Sequence, residues 1–74
     1  MTQASWTEPY YGVQHLNGLK GGIRQVTVAD YESFVEVFAL GPQGFTPIWE
    51  EQVETVAEAQ RKGEQYARSL GCLG

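Results

Sequence analysis

Few residues in this 74-residue chain could carry out chemistry. His15 is the one histidine, so any serine or cysteine nucleophile would have to find its base there. The candidate nucleophiles are Ser5, Ser33, Ser69 and Cys72, and none sits in an elbow that would hold it out for attack. Cys72 also falls in what reads as a terminal tail, a poor place to position a reacting group. His15 is better explained as a strand residue beside a turn. The carboxylates Glu50, Glu51, Glu54 and Glu58 could suggest a metal ligand set or an acid/base pair. Their crowding at the start of a helix has a simpler cause, because the helix macrodipole favours negative charge at that end. The run "GLKGG" could offer backbone N–H groups to a phosphate. It lacks the following Lys-Ser/Thr and precedes no helix, so it does not match a P-loop. With one cysteine there is no intramolecular disulfide, and no Cys/His cluster suggests a structural metal. The expectation is a chain that is not an enzyme and holds no cofactor and no metal.

The bulk properties narrow the partners. Formal net charge is −4, which disfavours non-specific attraction to nucleic acid or to an anionic membrane. No stretch approaches the ~18 apolar residues of a membrane-spanning helix. The N-terminus "MTQASWTEP" has neither a basic nor an apolar region of the secretory type, so a cytoplasmic protein is expected. A hydrophobic share of 42% argues for a packed core rather than disorder. At this length the core is small, and good packing or self-association must support it.

The elements that would position any site follow from pattern. Residues 1–9 are polar and aperiodic and read as a flexible tail, in which Trp6 alone could tuck back or meet a partner. Asn17-Gly18 lies between apolar runs and fits a type I′ hairpin turn, giving strands over residues 10–16 and 19–28. Gly21-Gly22 marks a bulge or break in the second. "ADYES" reads as a polar connection. "FVEVFAL" and "FTPIWE" pair as a hairpin around "GPQG", with Pro47 placing the last strand at an edge. Thr55 and Glu58 form a capping box in which each side chain reaches the other's backbone N–H. The helix stripe is Val56, Ala59, Gly63, Tyr66, Ala67 and Leu70, and Gly71 follows as the C′ residue. Glu58–Lys62 and Glu64–Arg68 stand at i,i+4 spacing in the favourable order. The order β-β-β-β-α predicts an α+β fold: a small antiparallel β-sheet, a meander of three to four strands, with one C-terminal α-helix packed on one face. A single domain spans residues 10–71, and 72–74 form a C-terminal tail.

The helix stripe is small, with Ala59, Gly63 and Ala67 four apart, so it suits a sheet face of modest side chains. Val26, Val28, Val35, Val37, Ala39 and Ile48 are assigned to that core face by the period of two. The other face receives Phe34, Glu36, Phe38, Phe45 and Trp49, with Ile23 and Thr27. A one-residue slip in register would exchange the two faces. If the assignment holds, one helix leaves an aromatic surface interrupted by a carboxylate, and such patches mark interaction sites. Glu36 would also guard that strand against aggregation.

The leading expectation is a small acidic non-catalytic protein-interaction module of inhibitor or adaptor type. Phe34, Glu36, Phe38, Phe45 and Trp49 would bind a partner protein with a basic surface. Small inhibitors encoded by phages and mobile elements offer an analogy. A ββα-type nucleic-acid-binding module is the first alternative, since aromatics on a sheet can stack bases. Its weakness is that only five cations are present, Lys20, Arg24, Arg61, Lys62 and Arg68. A structural homodimer or a small subunit of a larger complex is the second.

Overall fold

Alternation along "FVEVFAL" decides which side of the sheet becomes the core. Val35, Val37 and Ala39 are buried, while Phe34, Glu36, Phe38 and Leu40 between them are only partly covered. The computed structural model in which this is seen describes residues 4–73. In chain order the elements are β1 (Val13–His15), β2 (Gln25–Tyr31), β3 (Phe34–Leu40), β4 (Pro47–Val53) and α1 (Val56–Ser69). The strands form one antiparallel sheet in the order β1-β2-β3-β4, and α1 packs on one face across β2 and β3. This is the α+β meander with a C-terminal helix that the sequence predicts. No helix among the described residues is long and apolar enough to cross a membrane.

The core lies between α1 and the valine face. Val26, Val28 and Val37 are fully buried, and Ala59, Gly63 and Ala67 of the helix meet them. Gly63 permits this approach. A Cβ built there would stand 2.9 Å from Val26 Cγ1, 3.2 Å from Val37 Cγ2 and 3.3 Å from Trp6 Cη2. Local signals fix the helix ends. Thr55 Oγ1 accepts from the Glu58 N–H at 3.1 Å. The Glu58 carboxylate accepts from the Glu54 N–H at 3.5 Å rather than from that of Thr55, so the capping box is offset by one residue. At the other end Gly71 takes φ +70°, its N–H donates to the Arg68 carbonyl, and the Cys72 N–H donates to the Ala67 carbonyl. That pair of bonds is a Schellman motif.

Several expectations need correction. The Asn17-Gly18 hairpin does not form: Gly18 has positive φ but Asn17 does not, and a type I′ turn needs both. The chain instead leaves β1 after Leu16, pairs Leu19 with Leu73 and turns at Gly21-Gly22, so β2 begins only at Gln25. β2 runs on to Tyr31, which absorbs most of "ADYES" and leaves Glu32-Ser33 as a tight turn. The tail expected over residues 1–9 is docked where it is described. Trp6 bridges Leu16, and its ring covers Gly63 while Nε1 donates to Glu64 at 2.8 Å. Residues 1–3 and 74 lie outside the described residues. Cys72 is 5% exposed and belongs to the core cluster, because the Schellman motif turns it inward. Ile23, expected on the far face, is 2% exposed in the same cluster. Lys62 pairs with Glu51 of β4 rather than with Glu58, whereas Glu64 and Arg68 do pair, at 3.6 Å.

Candidate functional site

The face of the sheet away from α1 can be read from register, since directly paired residues share a side. One row crosses all four strands as His15, Thr27, Phe38 and Glu50. The next is Val13, Ala29, Glu36 and Gln52. Tyr31 with Phe34 closes one end, and Gln25 with Leu40 extends the other. No helix or strand packs over these rows among the described residues. Tyr31 and Phe34 lie with ring centroids 5.0 Å apart, and Tyr31 is half exposed. The open face is therefore bulkiest along β3 and at Tyr31, while Thr27 and Ala29 in the middle of β2 are buried among their neighbours.

Three of the five expected contact residues, Phe34, Glu36 and Phe38, come together on this face. Trp49 does not join them. β4 holds one extra residue where Leu40 pairs with Pro47 but Ala39 pairs with Trp49, a β-bulge. The bulge puts Trp49 on the helix side, stacked on Tyr66 with centroids 4.4 Å apart and planes 8° from parallel. It also removes Ile48 from the core and leaves it 52% exposed beside Gly41. Phe45 belongs to neither sheet face. It projects from the β3–β4 loop, 93% exposed, beside a cleft of about 300 Å³ lined by that loop from Gly41 to Thr46 and by Ile48.

Sequence reasoning missed a polar cluster on the open face. His15 Nδ1 lies 3.0 Å from Thr27 Oγ1, and Gln25 Nε2 donates to the same hydroxyl at 2.7 Å. Only register brings these residues together, since they sit on two strands. An imidazole beside a hydroxyl is the pairing a nucleophile needs. Thr27, however, is 3% exposed, so its oxygen is closed to a substrate. The other hydroxyls and the thiol have different partners. Asn17 Nδ2 donates to Ser5 Oγ, Ser69 Oγ donates to the Tyr66 carbonyl at 2.7 Å, and Cys72 Sγ faces the Leu70 carbonyl. Ser33 lies in the β2–β3 turn. No group of three or more His, Cys, Asp or Glu among the described residues is placed to hold a metal ion.

The electrostatics of the open face have one sign. Glu36 and Glu50 stand on it, and none of the residues in its rows is Lys or Arg. Lys62 is engaged on the helix side with Glu51. The arrangement offers aromatic and aliphatic surface with two carboxylates. Scans against protein-family models, curated proteins and solved structures return no match for this chain.

Proposed function

We propose that this chain is a small non-catalytic protein-interaction module, of inhibitor or adaptor type, that contacts its partner through the open face of the sheet. One observation carries the reading: Phe34, Phe38 and Leu40, with Glu36 between the two rings, share a face that no helix or strand packs against among the described residues. Large aromatics supply much of the binding energy at interfaces. Glu36 and Glu50 favour a partner with a basic surface, because opposite charge speeds encounter and rejects wrong partners. Phe45, at the loop tip, adds a further anchor. A second copy of the same face is a poorer match, since stacking two would bring carboxylates from both into one interface. Nucleic acid is poorer still, because a face without Lys or Arg releases no counterions from phosphate.

The test compares wild type with the Phe34→Ser/Phe38→Ser double variant as baits in the native host's lysate, followed by reconstitution with the purified target. A protein that wild type binds in a defined complex, with affinity lowered about 30-fold or more in the folded double variant, supports the reading. A folded double variant that binds the same target undiminished refutes it. So does a wild type that sediments as a stable dimer and binds no other protein.

A further inference from the structure

The two edges of the sheet are finished differently. Beside β1 the N-terminal segment runs as a covering strand: the Thr7 N–H donates to the His15 carbonyl and the Asn17 N–H to the Ser5 carbonyl, each at 2.9 Å. Thr7 Oγ1 also accepts from the His15 N–H at 2.9 Å. β4 has no such cover. Among the described residues its backbone pairs with β3 alone, so the groups on its outer side point to solvent. Exposed edges are normally blunted by proline, bulges or charge. In β4, Pro47 and the bulge protect only the start. From Trp49 to Val53 the pairing with β3 is regular.

Charge decides what that free stretch can accept. Glu50 is exposed on the open side, Glu51 stands on the helix side, and Glu54 is exposed just beyond. Among the described residues the one cation paired with them is Lys62, on Glu51. Neither β3 nor β4 contains Lys or Arg. Two copies meeting edge to edge would set these carboxylates against one another, which opposes self-pairing. An extended segment with cationic side chains meets no such penalty.

We propose that β4 accepts an extended basic segment of a partner protein by strand addition, as a fifth strand on the outer edge of the sheet. Main-chain hydrogen bonds would supply affinity, and alternate side chains would supply choice. On the open side the incoming strand presents Lys or Arg beside Glu50 and a polar residue beside Gln52. On the helix side it lies next to Trp49 and Val53. This mode does not depend on the open face acting as a contact.

The test uses the full chain, ¹⁵N-labelled, and three synthetic peptides of the length of β4, 7 residues. The first alternates lysine with valine. The second replaces lysine by glutamate. The third is the lysine peptide N-methylated at alternate residues, which keeps the charge but removes the main-chain donors that a ladder needs. The lysine peptide is expected to bind about ten-fold or more tightly than either other peptide. Its shift changes and new amide protection should centre on Ile48 to Val53. The exposed-site variant Glu50→Lys should lower the affinity for the lysine peptide and raise it for the glutamate peptide. Equal binding of the N-methylated peptide would reduce the effect to charge alone and overturn the proposal. Perturbations centred on α1 or on β1, or no saturable binding by the lysine peptide, would overturn it as well.

Discussion

Replacing Gly63 by alanine sets two terms of opposite sign against each other. In a helix interior alanine is favoured over glycine by about 1 kcal/mol. On an exposed face Gly63→Ala would therefore stabilise the protein. Here the new methyl would stand 2.9 Å from Val26 Cγ1 and 3.2 Å from Val37 Cγ2. Both valines are fully buried and stiff at χ1, and both sit on central strands. Neither can swing aside, so the helix must lift or the sheet must bend. Overpacking of this kind costs about 1–3 kcal/mol. The net expectation is a loss of about 1 kcal/mol, equivalent to a drop in Tm of about 4–8 °C for a domain this small. Urea unfolding gives the free energy directly. A double-mutant cycle with Val26→Ala gives the cause: with Cγ1 removed, Gly63→Ala should become neutral or stabilising, a coupling of about 1 kcal/mol or more. A Gly63→Ala protein more stable than wild type, with no coupling to Val26, would refute the close approach of helix and sheet.

Other perturbations have simpler ledgers. Thr55→Ala removes the hydroxyl that caps α1 and should cost about 1 kcal/mol, read as a lower urea midpoint at unchanged slope. Trp6→Ala strips the ring from Gly63 and leaves Glu64 without its indole donor. Because Trp6 is only partly buried, a loss of about 2 kcal/mol is expected, below the full cost of a core tryptophan. Faster exchange of α1 amides should accompany it. Phe45→Ser should leave stability within about 0.5 kcal/mol, since the ring is almost fully exposed, and should weaken partner binding measured by calorimetry.

What could be read from the sequence was what repeats locally. The alternation of Val35, Val37 and Ala39 and the four-residue spacing of Ala59, Gly63 and Ala67 identify the two surfaces that meet, because each follows the period of its own element. Thr55 and Gly71 likewise announce the helix ends. A simple period of two puts Trp49 on the wrong side because one extra residue in β4 changes how the strand is matched to β3, and Pro47, which stands at that bulge, fits a plain edge strand equally well. Asn17-Gly18 misled because the same dipeptide that favours a hairpin turn also serves an irregular excursion. The Leu19–Leu73 bridge that draws this excursion aside joins residues far apart in the chain. The docking of Trp6, the burial of Cys72 and the His15–Thr27–Gln25 cluster share that character. Each depends on three-dimensional neighbours that no window of sequence contains. On the open face, the placement of Phe34, Glu36 and Phe38 together follows from the period of β3 alone.

The positions of the two tryptophans make the protein its own optical probe. Trp6 rests over Gly63, and Trp49 stacks on Tyr66, so both indoles report on the seating of α1. Neither belongs to the open face. Loss of the fold would shift the emission of both. A strand seated along β4 would pass Trp49 and leave Trp6 in place, changing one emitter of the two. A partner on the Phe34–Phe38 surface would touch neither and pass unseen by tryptophan emission. Single-tryptophan variants therefore separate unfolding, edge pairing and face binding by colour and intensity alone.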